Sequence, residues 1–126
     1  MAKRFFTVEQ ARELLPKVRE LMEVAMTLYG ALEQNREEVQ ELADQSQFTA
    51  GSPTGTDHVH SLLLLKQCIQ NLEDMGCVVK SIQDGLVDFP HLREGREVYL
   101  CWKYGESDIL YWHEVDAGFA GRTPLG

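Results

Sequence analysis

Two rows of apolar residues, each repeating every seven positions, dominate the first third of this chain. Val8, Leu15, Met22 and Tyr29 make one row; Ala11, Val18, Ala25, Leu32 and Val39 make the other. A mean spacing of about 3.5 residues belongs to a helix with a coiled-coil-like seam, because a strand would scatter those residues over both its faces. The start of the helix is also marked. Thr7 is a favourable N-cap, Gln10 three residues on completes a capping box, and Phe6 stands at the staple position. One long helix is therefore predicted over 7–46. Pro16 lies inside it and should kink it, since proline removes a backbone hydrogen bond. Beyond Leu32 the seam meets Arg36 and turns acidic, so the far end is expected to project into solvent.

The stretch 47–56 (QFTAGSPTGT) is dense in Gly, Ser, Thr and Pro and reads as a loop. A second helix is predicted over 57–75, with Leu62, Leu65, Ile69 and Leu72 in one apolar row and Gly76 as its C′ residue. The pair should fold back as an antiparallel hairpin, and its unequal lengths require a further partner for part of the first helix. From Cys77 the period drops to two. A β-meander is predicted over 77–116, with strands at 78–82, 86–89, 97–104 and 109–115, the second stopped by Pro90. The Gly-rich tail, 117–126, reads as irregular. The expected fold class is α+β, one domain over 1–126. A long N-terminal helical hairpin packs with a C-terminal antiparallel β-meander of about four strands.

Composition excludes several roles. The 126 residues carry a formal net charge of -8, and both 7–46 and 76–126 hold more acids than bases. A partner rich in phosphate, DNA or RNA, needs clustered Lys and Arg, so no nucleic-acid binding is expected. The longest aliphatic run, Leu62 to Leu65, is far too short to cross a bilayer. The N-terminal MAKRFFTVEQARELL lacks the apolar core of a signal peptide. Cys68, Cys77 and Cys101 are odd in number and show no CxxC spacing, which fits free thiols in a reducing cytoplasm. His58 and His60 are two apart, so they diverge on a helix; no metal and no cofactor is expected.

Chemistry concentrates in the last third. The candidate ligand-binding residues are Asp88, Arg96, Tyr99, Trp112, His113, Glu114 and Arg122. His113 and Glu114 look like an acid/base pair, but neighbours on a strand point to opposite faces. Which one faces inward depends on hairpin register. A three-residue loop sets Tyr99 opposite His113 and groups Glu114 with Val98, Leu100 and Trp102; a four-residue loop sets Leu100 opposite His113. Whichever is buried needs a partner, and Arg96 or Arg122 could serve Glu114. The plainer expectation is a salt bridge or satisfied histidine that holds the tail to the sheet; Cys101 reads as a packed small residue.

Phe6-Thr7, Leu14-Leu15-Pro16 and Gly85-Leu86-Val87-Asp88-Phe89-Pro90 are recognisable together. So are Gly95-Arg96-Glu97-Val98-Tyr99-Leu100-Cys101-Trp102, Tyr111-Trp112-His113-Glu114 and Gly118-Phe119-Ala120-Gly121-Arg122. With these motifs the chain resembles an uncharacterised prokaryotic family, domain of unknown function 2203. The resemblance implies a cytoplasmic protein whose defining motifs lie in the β part, and it supplies no catalytic residues.

Two functional expectations follow. One is an oligomeric interaction or scaffold protein, a homodimer assembled through its helices, for which Leu21 and Leu28 are natural disruption points. The other is a small-molecule- or metal-dependent enzyme with its site around His113 and Glu114, which requires those side chains to converge in one pocket.

Overall fold

A computed structural model describes residues 4–34 and 53–126. Helix α1 spans Val8–Gln34 and α2 spans Pro53–Asp74. Five strands follow: β1 Val78–Ser81, β2 Leu86–Arg93, β3 Arg96–Lys103, β4 Tyr111–Glu114 and β5 Thr123–Pro124. They form one antiparallel sheet in the order β1-β2-β3-β4-β5. No described helix is long and apolar enough to cross a membrane.

The capping box forms as the sequence requires. The Gln10 amide N–H donates to Thr7 Oγ1 at 3.1 Å, and the Thr7 N–H donates to Gln10 Oε1 at 2.9 Å. Phe6 does more than staple. Its ring meets Phe89 edge-on at 5.5 Å, its N–H donates to the Pro90 carbonyl, and its own carbonyl accepts from His91 Nδ1. At the C-terminal end of α2, Gly76 at φ 99 closes the helix with paired bonds, Cys77 N–H to Leu72 O and Gly76 N–H to Glu73 O.

The apolar seam of α1 is divided between two partners. Ala11, Leu15, Val18 and Met22 pack with Val87, Phe89, Leu100 and Trp102 of the sheet and with Leu72 of α2. Farther along, Ala25 packs with Leu65 and Cys68 of α2, flanked by Leu21, Leu28, Tyr29 and Leu32. The surplus length of the first helix thus rests on the β part of the same chain.

Several expected boundaries move, each for a local reason. Residues 35–46 of the expected first helix, and 47–52 of the expected loop, lie outside the described residues. The second helix begins at Pro53, earlier than the loop composition suggested, because proline at the first helical position fixes a helical φ and lacks only an N–H that has no partner there. Strand β2 runs through Pro90 to a two-residue turn at Glu94 and Gly95, both at positive φ. Pro90 is tolerated because its carbonyl accepts from Phe6 on the side away from β3, and the missing N–H would point the same way. Strand β4 is shorter than expected. The Ile109 carbonyl is taken by the Arg12 guanidinium at 3.0 Å and its N–H by Asp108 Oδ1, so no ladder forms there. The tail is ordered: a 3-10 turn at Phe119–Gly121 leads into β5, which pairs with Tyr111 and Trp112.

Candidate functional site

Register decides what each face of the sheet carries. Tyr99 lies opposite His113, Leu100 opposite Trp112 and Val98 opposite Glu114, the parity expected for the three-residue loop. Paired residues share a face, so Val87, Phe89, Val98, Leu100, Trp102, Trp112 and Glu114 point toward the helices. Asp88, Tyr99, Cys101, Tyr111 and His113 point the other way. That second face is not exposed to solvent. The tail folds over it, and Asp88, Cys101 and His113 are each at most 2% exposed.

The seven expected residues therefore separate into two groups. Arg96, Trp112 and Glu114 sit on the helix side. Glu114 finds the partner proposed for it, with Arg96 Nη2 2.6 Å from Oε1, and both remain substantially exposed. The Arg93 guanidinium stacks on Trp112, whose indole N–H is buried without a hydrogen-bond partner among the described residues. On the outward side Asp88, Tyr99 and His113 converge, the Tyr99 and His113 rings lying 5.6 Å apart. Arg122 reaches this side from the tail. Its guanidinium is clamped between the Tyr111 and Phe119 rings and pairs with both Glu106 oxygens at 2.8 and 3.0 Å. Arg122 is thus a tail clamp whose acid is Glu106. His113 and Glu114 do not act as a pair.

The centre of the outward face is a buried polar triad. His113 Nε2 lies 3.0 Å from Asp88 Oδ2, and His113 Nδ1 lies 2.6 Å from the Glu114 carbonyl oxygen. A carbonyl only accepts, so Nδ1 carries the hydrogen of that contact and Nε2 is the nitrogen that faces Asp88. The contact to Asp88 then requires a shared proton, held either on Nε2 or on the carboxyl. Burial raises the Asp88 pKa, opposed by the charge and hydrogen bond of His113 and by Lys80. Among the described residues the other carboxyl oxygen, Oδ1, is buried with no hydrogen-bond partner beyond the weak interaction of the carboxyl with the Cys101 thiol opposite.

Cys101 completes the cluster. One ligand-capable atom from each of Asp88, Cys101 and His113 falls within 4.8 Å of the other two. Burial and the neighbouring Asp88 charge push the Cys101 thiol up to about 12, with Arg122 opposing. It is therefore protonated at neutral pH and is no activated nucleophile. A cleft of about 250 Å³ opens onto the triad, walled by Lys80 of β1 and by Val115, Asp116 and Phe119 of the tail. Sequence reading passed over Cys101 as packing. The signal that could have found it is alternation: under the three-residue-loop register Tyr99, Cys101 and His113 share one face.

The helices present the second feature. Val59, Leu62, Leu63 and Leu64 on α2 are each about half exposed or more. Leu21 and Leu28, the expected points of assembly, are instead half-buried in the contact between α1 and α2.

Fold and site together define a small α+β protein, two packed helices on one side of an antiparallel sheet with a tail-covered polar cluster on the other. The chain belongs to the family described as "Uncharacterized conserved protein (DUF2203)", whose model matches residues 4–125. No curated protein and no solved structure matches it.

Proposed function

We propose that this is a cytoplasmic interaction protein that self-associates through the outward face of α2. The supporting observation is the exposure of Val59, Leu62 and Leu63, whose i, i+3, i+4 spacing makes a stripe as wide as a helix–helix seam. A second copy of the same chain is the occupant that charge favours. The chain is acidic and would repel itself elsewhere, but between Val59 and Leu72 the only charged residue is Lys66. Two such stripes related by a two-fold axis would bury each other without opposing like charges. Three buried free thiols suit a reducing compartment. The test is sedimentation velocity on the whole chain and on a Leu62→Glu/Leu63→Glu variant. A dimer that becomes a folded monomer in the variant supports the reading; a wild-type monomer at micromolar concentration defeats it.

A second reading, a small-molecule- or metal-dependent protein, is favoured by the buried Asp88–His113 contact with an unpartnered carboxyl oxygen. Its centre moves from His113 and Glu114 to Asp88, Cys101 and His113. Burying ionisable groups has a cost that an apolar pair would not carry, so their presence under the tail supports a chemical use.

A further inference from the structure

We propose that Asp88, Cys101 and His113 form a metal site for a divalent ion of the zinc type, with its fourth position open to the cleft under the tail. The inference deepens the second reading above and stands whether or not the chain self-associates. It starts from the histidine. The Glu114 carbonyl holds Nδ1–H, which turns Nε2 toward Asp88, with a ligand-capable atom of Cys101 within 4.8 Å in the same cluster. A backbone carbonyl on the distal nitrogen is the usual way a ligating histidine is fixed in tautomer and orientation. The second observation is independent of it. Asp88 is 1% exposed and, among the described residues, Oδ1 has no hydrogen-bond partner beyond the weak interaction of the carboxyl with the Cys101 thiol, so the carboxylate keeps coordination capacity.

The donor set selects the ion. One imidazole nitrogen, one thiolate and one carboxylate suit zinc, whereas calcium and magnesium take oxygen alone. Metal–ligand lengths of about 2.0 to 2.3 Å put ligand atoms roughly 3.3 to 3.7 Å apart in a tetrahedron. The three atoms here lie within 4.8 Å of one another, on adjacent strands of one sheet, so small side-chain rotations close the site.

Charge balances as well. In the metal-free site one proton is shared between Asp88 and His113 and another sits on the Cys101 sulfur. The entering ion displaces both, and a 2+ ion with one carboxylate and one thiolate leaves no net charge under the tail. The nearby Arg122 charge favours the thiolate, while Lys80 of β1 and Asp116 of the tail face the cleft with opposite charges. Because two protons leave with each ion bound, affinity must fall as pH falls.

Cobalt(II) titrated into chelator-stripped full-length protein is the direct test. The expected result is one ion per chain, with a thiolate-to-cobalt charge-transfer band in the near ultraviolet, bleached by an equivalent of zinc. Cys101→Ser should abolish the band and Cys68→Ser should leave it intact. Asp88→Asn should weaken binding at least tenfold, and circular dichroism reports that each variant is folded. Wild-type protein that gives no charge-transfer band at saturating cobalt overturns the site, whatever the variants do. So does a band that survives in Cys101→Ser, which would mark adventitious binding at another thiol.

Discussion

The two faces of the sheet are buried to the same degree and built from opposite chemistry. Toward the helices, Val87, Phe89, Leu100 and Trp102 are fully buried and carry no ionisable group. The Trp102 indole N–H donates to the Glu106 carbonyl at 3.0 Å, and the neutral Trp112 indole N–H is the buried polar atom left unpartnered on that side among the described residues. Toward the tail, Asp88, Cys101 and His113 are buried just as deeply, yet one carboxyl oxygen is left without a partner. The first arrangement lowers free energy by removing apolar surface from water. The second spends part of that gain on desolvating ionisable groups, with only partial return. One face supplies stability; the other is tolerated by it.

The largest expected effect lies on the helix side. Trp102→Ala should destabilise the fold by about 3–5 kcal/mol, because it removes a wholly buried indole from the centre of the core. Urea unfolding followed by far-ultraviolet circular dichroism measures it. A loss under about 1 kcal/mol would mean that the tail-side cluster carries more of the fold than its chemistry suggests.

The tail side should respond to how it is changed more than to what is lost. His113→Ala leaves the Asp88 carboxyl buried without its partner and should cost roughly 3 kcal/mol at neutral pH. Replacing both groups, as Asp88→Leu with His113→Leu, removes the uncompensated polar atoms and should leave stability within about 1 kcal/mol of wild type. Unfolding midpoints of the single and double variants compare the two directly. A double variant as unstable as His113→Ala would make the triad a structural device, and the contrast between the faces would collapse.

How far this was legible in the sequence follows the same division. The capping box at Thr7, the apolar rows of α1 as far as Leu32 and the hydrophobic alternation of β2 and β3 are local patterns, and they formed as read; that half of the α1 seam packs on the sheet of the same chain was not legible in them. Pro90 misled, because its effect depends on which side of β2 its nitrogen faces, a fact set by Phe6 more than eighty residues away. The polar triad was harder still. Its members come from three different strands, Asp88 from β2, Cys101 from β3 and His113 from β4, so no ligand spacing exists along the chain. Only the register brings them together, and a one-residue slip would have sent His113 to the helices. Glu114, next to His113 in sequence, was a natural false partner. The tail gave least warning: its role as a cover depends on Arg122 finding Glu106 and two aromatic rings.

A smaller effect separates charge from shape on the outward face. Burial raises the folded-state pKa of Asp88, so the folded protein holds that proton to higher pH than the unfolded chain does. The stability that this confers is present in full below the ordinary carboxylate range. It is lost as pH rises from there through the raised value. Asp88→Asn removes the titration and keeps the shape, and its amide N–H can donate to the Nε2 lone pair of His113. The stability of Asp88→Asn relative to wild type should therefore increase as pH rises through that window, as read from urea unfolding midpoints at each pH. A difference that is flat with pH would show that Asp88 keeps its ordinary titration, and that its desolvation is relieved by other means.

The smallest effect belongs to the ion pair that Glu114 makes with Arg96, one of the two partners that the sequence offered it. Arg96 and Glu114 meet at 2.6 Å, but their side chains are 63% and 43% exposed, so water and salt already screen each charge. Arg96→Ala should cost no more than about 0.5 kcal/mol, and the difference should shrink further when the unfolding is repeated at high salt. It should leave the cobalt band of the outward face unchanged, because Arg96 and Glu114 lie across the sheet from it. A loss above about 1.5 kcal/mol, or a change in that band, would show that the two faces are coupled through β3 and β4. The separation of apolar support from buried polar chemistry would then have to be given up.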